Sequence, residues 1–468
     1  MENTHIRTRF APSPTGYLHI GGLRTALYSY LLAKHSGGDF LLRIEDTDKK
    51  REVEGSTQKI QDVLKLFGLN WDEGPGVDGP HGPYLQSQRV PNGIYQKAAD
   101  KLLADGHAFY CFCKPKAKEE ILADRQQKIE FRDPCRSLTQ EEINSKIAAG
   151  EKPAIRLKTP ENQIVSYVDF VTGKKVSWKT DIVDDAMLLK SDGFPTYHLA
   201  VVVDDQDMQI THVLRGHDWQ PSTPIHILVH QFLGFPMPEY GHLTDILNVD
   251  GHGKLSKRKN NVSCEQFLAE GYLPEALLNF VLLLGWAPKD NQELYTLDEI
   301  VQKFDHHGFQ KSNPRFDPTK LIWLNGHYLR QKSDQELLSL ARPLFSESIT
   351  NEQLLAVIPL AKERISRIGD IVSLTSFIFS EPKYDDKSLL NQEYLKESVN
   401  ALSLADWNKE SIESQLTNLT QSKNYHRGDF FMNLRLAIAG QKVTPPLTES
   451  MIIIGKETVL NRLKALID

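Results

Sequence analysis

The stretch that decides the fold is residues 6–48, IRTRFAPSPTGYLHIGGLRTALYSYLLAKHSGGDFLLRIEDTD. Residues 6–11 are β-prone, and the following prolines force an irregular loop. Apolar residues recur at helical spacing from Leu23 to Leu31, and Ser36-Gly37-Gly38 ends that pattern. Residues 40–44, FLLRI, then form a second apolar run. A strand, a helix and a strand in this order predict a βαβ unit in a parallel, doubly wound sheet.

Working outward from this unit, the chain divides into five predicted segments. They are the first half of a Rossmann-like α/β domain (1–80), an inserted α/β module (81–190), the second half of the sheet domain (191–260), a helical region (261–325) and an all-helical C-terminal domain (326–468). The run YHLAVVVDD at 197–205 and the run THVLRG at 211–216 are predicted strands. With 468 residues, several domains are expected.

Composition excludes several classes of protein. The net charge of −6 gives no general support for an RNA partner, so any nucleic-acid site must be a local basic surface. No apolar stretch approaches the roughly 20 residues that span a bilayer, and the first residues lack the apolar core of a signal peptide. Four cysteines are too few for a disulfide scaffold. A cytoplasmic enzyme without a membrane partner is expected.

The first chemical motif is His19-Ile20-Gly21-Gly22, where the first strand leads through a loop into a helix. Unpaired N–H groups at a helix N-terminus attract anions. Glycines let a phosphate approach the backbone, and a histidine donates a hydrogen bond as charge develops. Alone, the motif is more often a glycine-lined turn with a helix-capping histidine.

The second motif is the basic loop that begins at Lys254, KLSKR at 254–258, preceded by Gly251 and Gly253. Two lysines three positions apart, Lys254 and Lys257, can neutralise a polyphosphate, and a loop of this kind can close and reopen. The alternative is a solvated basic loop. HIGG followed about 235 residues later by KLSKR resembles the paired signatures of class I aminoacyl-tRNA synthetases. Together, the two motifs therefore favour nucleotide chemistry over a glycine-lined turn and a solvated basic loop.

The flanking residues resemble the glutamyl-tRNA synthetase family over essentially the whole chain. RFAPSPTGYLHIGG at 9–22 is similar to the family's opening, whereas the glutaminyl relatives carry Pro-Glu-Pro-Asn in place of Pro-Ser-Pro-Thr. RIEDTD at 43–48, LPEALLNFVLLLGW at 273–286 and NLRLAIAG at 433–440 also resemble family segments. The resemblance implies that segment 81–190 holds the acceptor end of tRNA, segment 261–325 contacts the stem and segment 326–468 binds the anticodon.

The resemblance also implies the substrate site. Guanidinium groups pair with carboxylates and a carboxylate pairs with an ammonium group. Arg9 and Arg215 would bind the carboxylates of L-glutamate and Glu45 its ammonium, with Ala11, Ser13 and Tyr197 lining the pocket. A surface ion pair is the alternative for Arg9 and Glu45. Around ATP with Mg²⁺, the resemblance places His19, Gly21, Asp218, Trp219, Leu255 and Lys257. Trp219 is either a stacking partner of adenine or a buried core residue, and His217-Asp218 departs from the usual acidic pair.

Cys111, Cys113 and Cys135 resemble the family's zinc site, for which a fourth ligand is needed. The usual positions hold Ser137 and Phe131 here, so we interpret the three cysteines as the remnant of a site. Three thiolates with a donor from elsewhere remain the alternative. Cys264 is expected to be an ordinary buried thiol.

The expected reaction is the ATP-dependent ligation of glutamate to tRNA(Glu) in two steps, with His19, Lys254 and Lys257 stabilising charge and no protein nucleophile. The family requires tRNA for glutamate activation, and a monomer is expected. Tyr425, His426, Arg427 and Arg435 are candidate anticodon contacts. The rival interpretations are a paralogue that transfers glutamate to queuosine and a non-catalytic tRNA-binding paralogue. Charging of tRNA(Gln) as well remains open.

Overall fold

The computed structural model describes residues 5–113, 132–255, 262–384 and 389–467. Contacts divide the chain into two compact units. The first comprises Met1–Gln266 and Leu278–Asp317, and the second comprises Phe267–Leu277 and Pro318–Asp468. Among the described residues, no helix has the length and apolar character needed to cross a membrane.

The first unit contains both strands and helices. Its strands are β1 (Arg7–Phe10), β2 (Asp39–Leu42), β3 (Ala108–Cys111), β4 (Ala154–Leu157), β5 (Ile164–Asp169), β6 (Lys174–Lys179), β7 (Met187–Leu189), β8 (His212–Gly216) and β9 (Glu239–Leu243). Its helices are α1 (Ile20–His35), α2 (Ser56–Leu66), α3 (Gln86–Arg89), α4 (Ile94–Ala104), α5 (Gln140–Ala148), α6 (Tyr197–Asp207), α7 (Thr223–Leu233) and, after residue 262, α8 (Cys264–Ala269), α9 (Pro274–Leu283) and α10 (Leu297–Lys303), of which α8 and α9 extend into the second unit.

Parallel pairing positions the site. β1 pairs with β2 in parallel, and β8 pairs with β9 in parallel. The N–H of Thr211 donates to the carbonyl oxygen of Arg7 at 3.0 Å, so β8 starts beside β1. Helix α1 packs on β1, β2 and β8. The carboxyl ends of these strands therefore meet at one edge, where ligands bind in open α/β sheets.

The segment predicted as an inserted module contains antiparallel strands. β3, β4 and β7 form a three-stranded sheet, and β5 and β6 form a separate hairpin. The chain then returns to the sheet domain through α6. Antiparallel pairing here and parallel pairing outside it distinguish the two parts of the first unit.

The run at 197–205 is a helix, α6, and the strand predicted there was wrong. Every residue from Leu199 to Asp205 is buried, because α6 packs against α4, α7 and β7. A helix buried on all sides is apolar on all sides and loses the periodicity that would identify it. The β-branched valines at 201–203 then favoured the wrong element.

The second unit is helical, as predicted beyond residue 321. Its helices are α11 (Pro318–Gln331), α12 (Asp334–Ala341), α13 (Asn351–Lys362), α14 (Asp370–Phe379), α15 (Gln392–Leu404), α16 (Lys409–Ser422), α17 (Arg427–Ala439), α18 (Leu447–Ile454) and α19 (Lys456–Lys464). A continuous apolar core joins α14 to α19. Capping boxes begin α12 at Ser333 and α13 at Thr350.

Candidate active site

A cavity of about 430 Å³ lies at the carboxyl ends of β1, β8 and β9. It brings together the described residues of the predicted glutamate and ATP sites, from positions up to 246 apart in the chain. These are Arg9, Ala11, Ser13, His19, Gly21, Glu45, Tyr197, Arg215, Asp218, Trp219, Lys254 and Leu255. Lys257 lies outside the described residues.

His19 is the N-cap of α1, and its Nδ1 accepts the N–H of Gly22 at 3.1 Å. Nδ1 therefore carries the lone pair, and Nε2 carries the proton of a neutral ring. A Cβ at Gly21 would lie 2.9 Å from Cε1 of His19, so this glycine leaves room for the histidine ring. The motif thus presents an imidazole together with the N-terminus of a 16-residue helix, a suitable arrangement for phosphate.

The segment that follows the second motif is hydrogen-bonded to the first motif and to the residue before it. The N–H of Ile20 donates to the carbonyl oxygen of Val262 at 3.0 Å, and the N–H of Cys264 donates to the carbonyl oxygen of Leu18 at 2.8 Å. At the other end of the basic loop, Lys254 pairs with Asp218 and, at 2.9 Å, with Asp245. Both ends of the segment that carries KLSKR are therefore anchored beside the cavity. Asp245 lines the cavity and was missed in the sequence, since no motif includes it.

The predicted guanidinium group of Arg9 belongs to a buried charge network. Its Nε donates to Oδ1 of Asp205 at 3.0 Å, and Nη1 of Arg43 donates to the same oxygen at 2.7 Å. Arg43 also lies 3.4 Å from Oε1 of Glu45. Burial raises the pKa of Glu45 to about 7, with Arg43 and Arg9 opposing the rise and Asp205 and Asp204 adding to it. Asp205 orients Arg9 and was not singled out from the sequence.

Arg215 is 5% exposed and is surrounded by neutral hydrogen-bond acceptors. Its Nη1 donates to Tyr197 Oη and His226 Nδ1, each at 3.1 Å, and its Nη2 donates to Thr223 Oγ1 at 2.8 Å. Its Nε donates to Nε2 of His242 at 3.1 Å. Burial first, and then the charge of Arg215, hold the pKa of His226 well below its usual value. Among the described residues, no carboxylate forms an ion pair with Arg215, so the cavity contains a cation suited to an anionic ligand.

Trp219 is 45% exposed and lines the cavity, so it is not the buried core residue that the sequence left as an alternative. Its ring lies 4.4 Å from that of Tyr197, centroid to centroid, at an angle of 41°. An exposed indole at the wall of a cavity can stack on a planar ligand.

The cysteines predicted as a remnant have a fourth candidate ligand. The ligand atoms of Cys111, Cys113, Cys135 and Asp133 all lie within 4.8 Å of one another. Cys113 Sγ is 3.5 Å from Cys135 Sγ, and Cys111 Sγ is 3.2 Å from Oδ2 of Asp133. Asp133 was missed because the sequence analysis considered position 131, outside the described residues, and position 137. The aspartate lies between them, two positions before Cys135.

The candidate anticodon contacts lie in the second unit, on α17 or just before it. Tyr425 Oη donates to Oε1 of Glu393 at 2.7 Å, and its ring stacks on Phe430. Arg427 is exposed, with its guanidinium 5.6 Å from the ring of Phe431. Arg435 is half-buried. Their contact with the anticodon stays a prediction.

Comparison with known proteins agrees with this geometry. Residues 5–323 match the family described as tRNA synthetases class I (E and Q), catalytic domain, and residues 336–467 match an anticodon binding domain. A glutamate–tRNA ligase of Finegoldia magna is 42% identical, covering 98% of this chain and 99% of its own. One of Clostridioides difficile is 38% identical, covering 98% of each. The crystal structure of a glutamate tRNA ligase from Elizabethkingia meningosepticum, in complex with its amino acid, superposes with a TM-score of 0.89 at 36% identity, covering 98% of this chain and 99% of that one.

Proposed function

The chain belongs to the class I tRNA synthetases (E and Q), and we propose that it joins L-glutamate to tRNA(Glu) with ATP. The observation that carries the proposal is that Arg9, Arg215 and Glu45 line one cavity, whose other charged lining residues are Arg24, Asp218, Asp245 and Lys254. Free glutamate has two carboxylates and one ammonium group, which is the complementary set. Bidentate guanidinium–carboxylate pairs supply both affinity and geometry.

In this proposal Arg215 binds one carboxylate of glutamate, Arg9 binds the other and Glu45 accepts the ammonium group. Ala11, Ser13 and Tyr197 line the pocket. An amide in place of the side-chain carboxylate would bring no charge to its arginine partner and two donors to a guanidinium that only donates. Glutamine is therefore disfavoured because the charge interaction is lost and because its amide N–H groups would face the N–H groups of the arginine.

ATP, entering with Mg²⁺ on its phosphates, takes the part of the cavity around His19, Gly21, Asp218, Trp219 and Leu255. The N-terminus of α1 and the Nε2–H of His19 face developing negative charge. Lys254 and Lys257 supply positive charge from the basic loop. The described ends of this segment, Lys254 and Val262, are both anchored beside the cavity, which supports placing the phosphates of ATP there.

The chemistry then follows in two steps. A carboxylate oxygen of glutamate attacks the α-phosphorus of ATP, the bond from that phosphorus to the bridging oxygen breaks, and pyrophosphate leaves. A hydroxyl of the terminal ribose of tRNA attacks the carbonyl carbon of the adenylate, loses its proton, and AMP leaves. His19 and the lysines stabilise charge in the first transition state, and no protein group becomes covalently attached.

The tRNA contacts are divided among the predicted segments. Segment 81–190 holds the acceptor end, segment 261–325 contacts the stem, and segment 326–468 binds anticodon bases through Tyr425, Arg427 and Arg435. Unstacked bases are usually recognised by aromatic and guanidinium groups, which supports these residue types. The enzyme acts as a monomer in the cytoplasm.

The decisive experiment is glutamate-dependent ATP–pyrophosphate exchange, measured with and without tRNA(Glu). Exchange is expected only with tRNA, and Lys257→Ala should lower it by about 100-fold, as loss of a transition-state contact does. Lys65→Ala is the control, since Lys65 is exposed on α2, lies outside the cavity and belongs to none of the segments assigned to tRNA. If the protein binds tRNA but shows no exchange under any condition, the ligase proposal is wrong and the protein is a non-catalytic tRNA-binding paralogue.

Zinc is a separate proposal, supported by the donor set. Tetrahedral zinc with bonds of about 2.0–2.3 Å requires ligand atoms roughly 3.3–3.8 Å apart, and the separations of 3.5 Å between Cys113 and Cys135 and 3.2 Å between Cys111 and Asp133 approach this range. Three thiolates and a carboxylate would hold the ion in a closed, structural site. Its role would be to join β3 to residues 133–135.

Metal analysis of the purified chain tests this proposal. We expect one zinc per chain, its loss in Asp133→Ala and its retention in Cys264→Ser, the control at the remaining cysteine. A lower melting temperature after chelation is expected for the native chain only. Equal zinc content in the native chain and Asp133→Ala would exclude Asp133 as the fourth ligand.

A further inference from the structure

Arg215 and His242 are neighbours across the sheet. They are register partners in the parallel pair β8–β9, and Nε of Arg215 donates to Nε2 of His242 at 3.1 Å. Both side chains are buried, at 5% and 1% exposure. A guanidinium nitrogen can only donate, so Nε2 of His242 must carry its lone pair, and the proton of the neutral ring must be on Nδ1.

Asp169 fixes that tautomer from the other side of the ring. Its Oδ2 accepts from Nδ1 of His242 at 2.8 Å and from the backbone N–H of His242 at 3.1 Å. Its Oδ1 accepts the N–H groups of Val171 and Thr172 at 3.1 and 3.0 Å. Although burial opposes it, hydrogen bonds from His242 and from Thr172 hold the pKa of Asp169 below its usual value, so the carboxylate is ionised and accepts only.

The reverse tautomer would place two donors against each other. Nε2–H would face Nε–H of Arg215, and Oδ2 of Asp169 would lose the donor at 2.8 Å. Tyr167 Oη lies 3.2 Å from Oδ2 of Asp169 and donates to it, which adds a further donor to the carboxylate. Thr223 Oγ1, 3.3 Å from Nε2, and Tyr167 Oη, 2.9 Å from Nδ1, would be the remaining partners of that tautomer. Two donors that face each other in a buried site are costly, so the contacts to Arg215 and Asp169 favour the proton on Nδ1.

This arrangement keeps a negative charge near Arg215 without letting it pair directly. The imidazole of His242 separates the Asp169 carboxylate from the guanidinium, and burial and the charge of Arg215 lower the pKa of His242 even though Asp169 raises it. A carboxylate in direct contact would compete with the ligand carboxylate for Arg215. A neutral imidazole orients the guanidinium and leaves its charge available.

We propose that His242 and Asp169 are positioning residues that orient Arg215 for a carboxylate ligand, and that they thereby contribute to the choice of glutamate over glutamine. This proposal rests on the proposed function, in which Arg215 binds a substrate carboxylate. Asp169 ends strand β5, which lies in segment 81–190, so that segment contributes to the amino-acid site as well as to its predicted contact with tRNA.

Three variants test separately the hydrogen bond from His242 to Asp169 and the hydrogen bond from Arg215 to His242. Asp169→Asn keeps the shape but can donate to Nδ1, which permits the reverse tautomer. His242→Gln can keep an acceptor near Nε of Arg215, whereas the shorter His242→Asn keeps a donor for Asp169 and loses that acceptor. His230→Gln is the control, because His230 is buried at 1% exposure on α7 and does not contact Arg215.

The kinetic measurement is tRNA-dependent ATP–pyrophosphate exchange as a function of glutamate, glutamine and ATP. For Asp169→Asn and His242→Asn we expect KM for glutamate to rise about tenfold or more, the size of effect for an unsatisfied buried donor, while KM for ATP stays within about twofold. The preference for glutamate over glutamine should fall in parallel, and His242→Gln should recover part of it. His230→Gln should match the native chain.

The spectroscopic measurement does not depend on activity. In ¹⁵N spectra of histidine-labelled protein, the ring assigned to His242 by its absence in His242→Gln should be protonated at Nδ1, and in Asp169→Asn at Nε2. A native Nε2–H tautomer, or an unchanged KM for glutamate in folded Asp169→Asn, would contradict the proposal that Asp169 and His242 position Arg215. If Arg215→Gln also leaves KM for glutamate unchanged, the glutamate site itself is misplaced, and the tautomer result would show which of the two inferences failed.

Discussion

At the scale of single residues, the proposed role of Glu45 predicts how amino-acid binding responds to pH. Its carboxyl group lies among Arg43, Arg9, Asp205 and Asp204, and burial raises its pKa to about 7. Only the ionised form can pair with the ammonium group of glutamate. Below pH 7 the free enzyme holds a proton that binding must displace.

We therefore expect kcat/KM for glutamate to rise with pH between about 6 and 8, with an apparent pKa near 7, in the exchange assay. Glu45→Gln should have a lower kcat/KM at pH 8, by about tenfold or more, and should lose this limb of the profile. A profile in the native chain that is flat from pH 6 to 8 would contradict the role of Glu45.

The candidate site residues could be predicted from the sequence better than the residues that contact and orient them. Arg9, Glu45, Arg215 and His19 were identified by motif and resemblance, and all line the cavity. Asp205 and His242 were not identified, because each acts through a contact with a residue at least 27 positions away. No local pattern in the sequence reports such a pair.

At the scale of elements, the approach of β5 to β9 depends on one glycine. A Cβ at Gly241 would lie 2.5 Å from Cζ of Phe170, closer than side chains tolerate. The N–H of Phe170 donates to the carbonyl oxygen of Tyr240 at 3.1 Å, which brings the neighbouring Asp169 to His242. The glycine thus permits the contact on which the Arg215 environment depends.

Gly241→Ala should lower the free energy of unfolding by about 1–3 kcal/mol, the usual cost of overpacking, and should raise KM for glutamate. Phe170→Leu removes the ring atoms that the new methyl group would meet, so the double variant should regain part of the lost stability. Urea unfolding of both single variants and the double variant measures this. Additive losses in the double variant would show that the methyl group does not act through Phe170.

The elements themselves were predicted where periodicity or alternation was clear. Strands at 6–11, 40–44 and 211–216 and the helix after His19 correspond to β1, β2, β8 and α1. The exception is α6, where burial on all sides removed the helical period. Its two aspartates near the C-terminal end, Asp204 and Asp205, then bind Arg43, Arg89 and Arg9.

At the scale of the whole molecule, the chain enters the second unit early. Residues 267–277 belong to that unit although residues 278–317 return to the first. Asn325 on α11 anchors this early segment: its Oδ1 accepts the N–H of Leu273 at 2.7 Å, and its Nδ2 donates to the carbonyl oxygen of Ser366 at 2.6 Å. Glu275 pairs with Lys332 at 2.6 Å.

Asn325→Ala should therefore loosen residues 267–277 within the second unit. We expect faster hydrogen exchange in a peptide covering that segment and a free energy of unfolding lower by about 1–3 kcal/mol, because the buried N–H of Leu273 loses its acceptor. Asn418→Ala, at an exposed position on α16, is the control and should change neither. Unchanged exchange in Asn325→Ala would mean that other contacts hold the segment.

The sequence by itself determined the family and the fold class, which the comparisons confirm, and it predicted the residue types of the amino-acid and nucleotide sites. It could do so because HIGG, KLSKR and the segments around them are local patterns, and residue type and spacing alone indicate their chemistry. Only the tertiary structure decided that residues 197–207 form a buried helix, that Asp133 stands beside three cysteines, and that Arg215 faces neutral acceptors. Each of these depends on distances between residues remote in sequence or on burial from all sides, and both arise only when the chain packs.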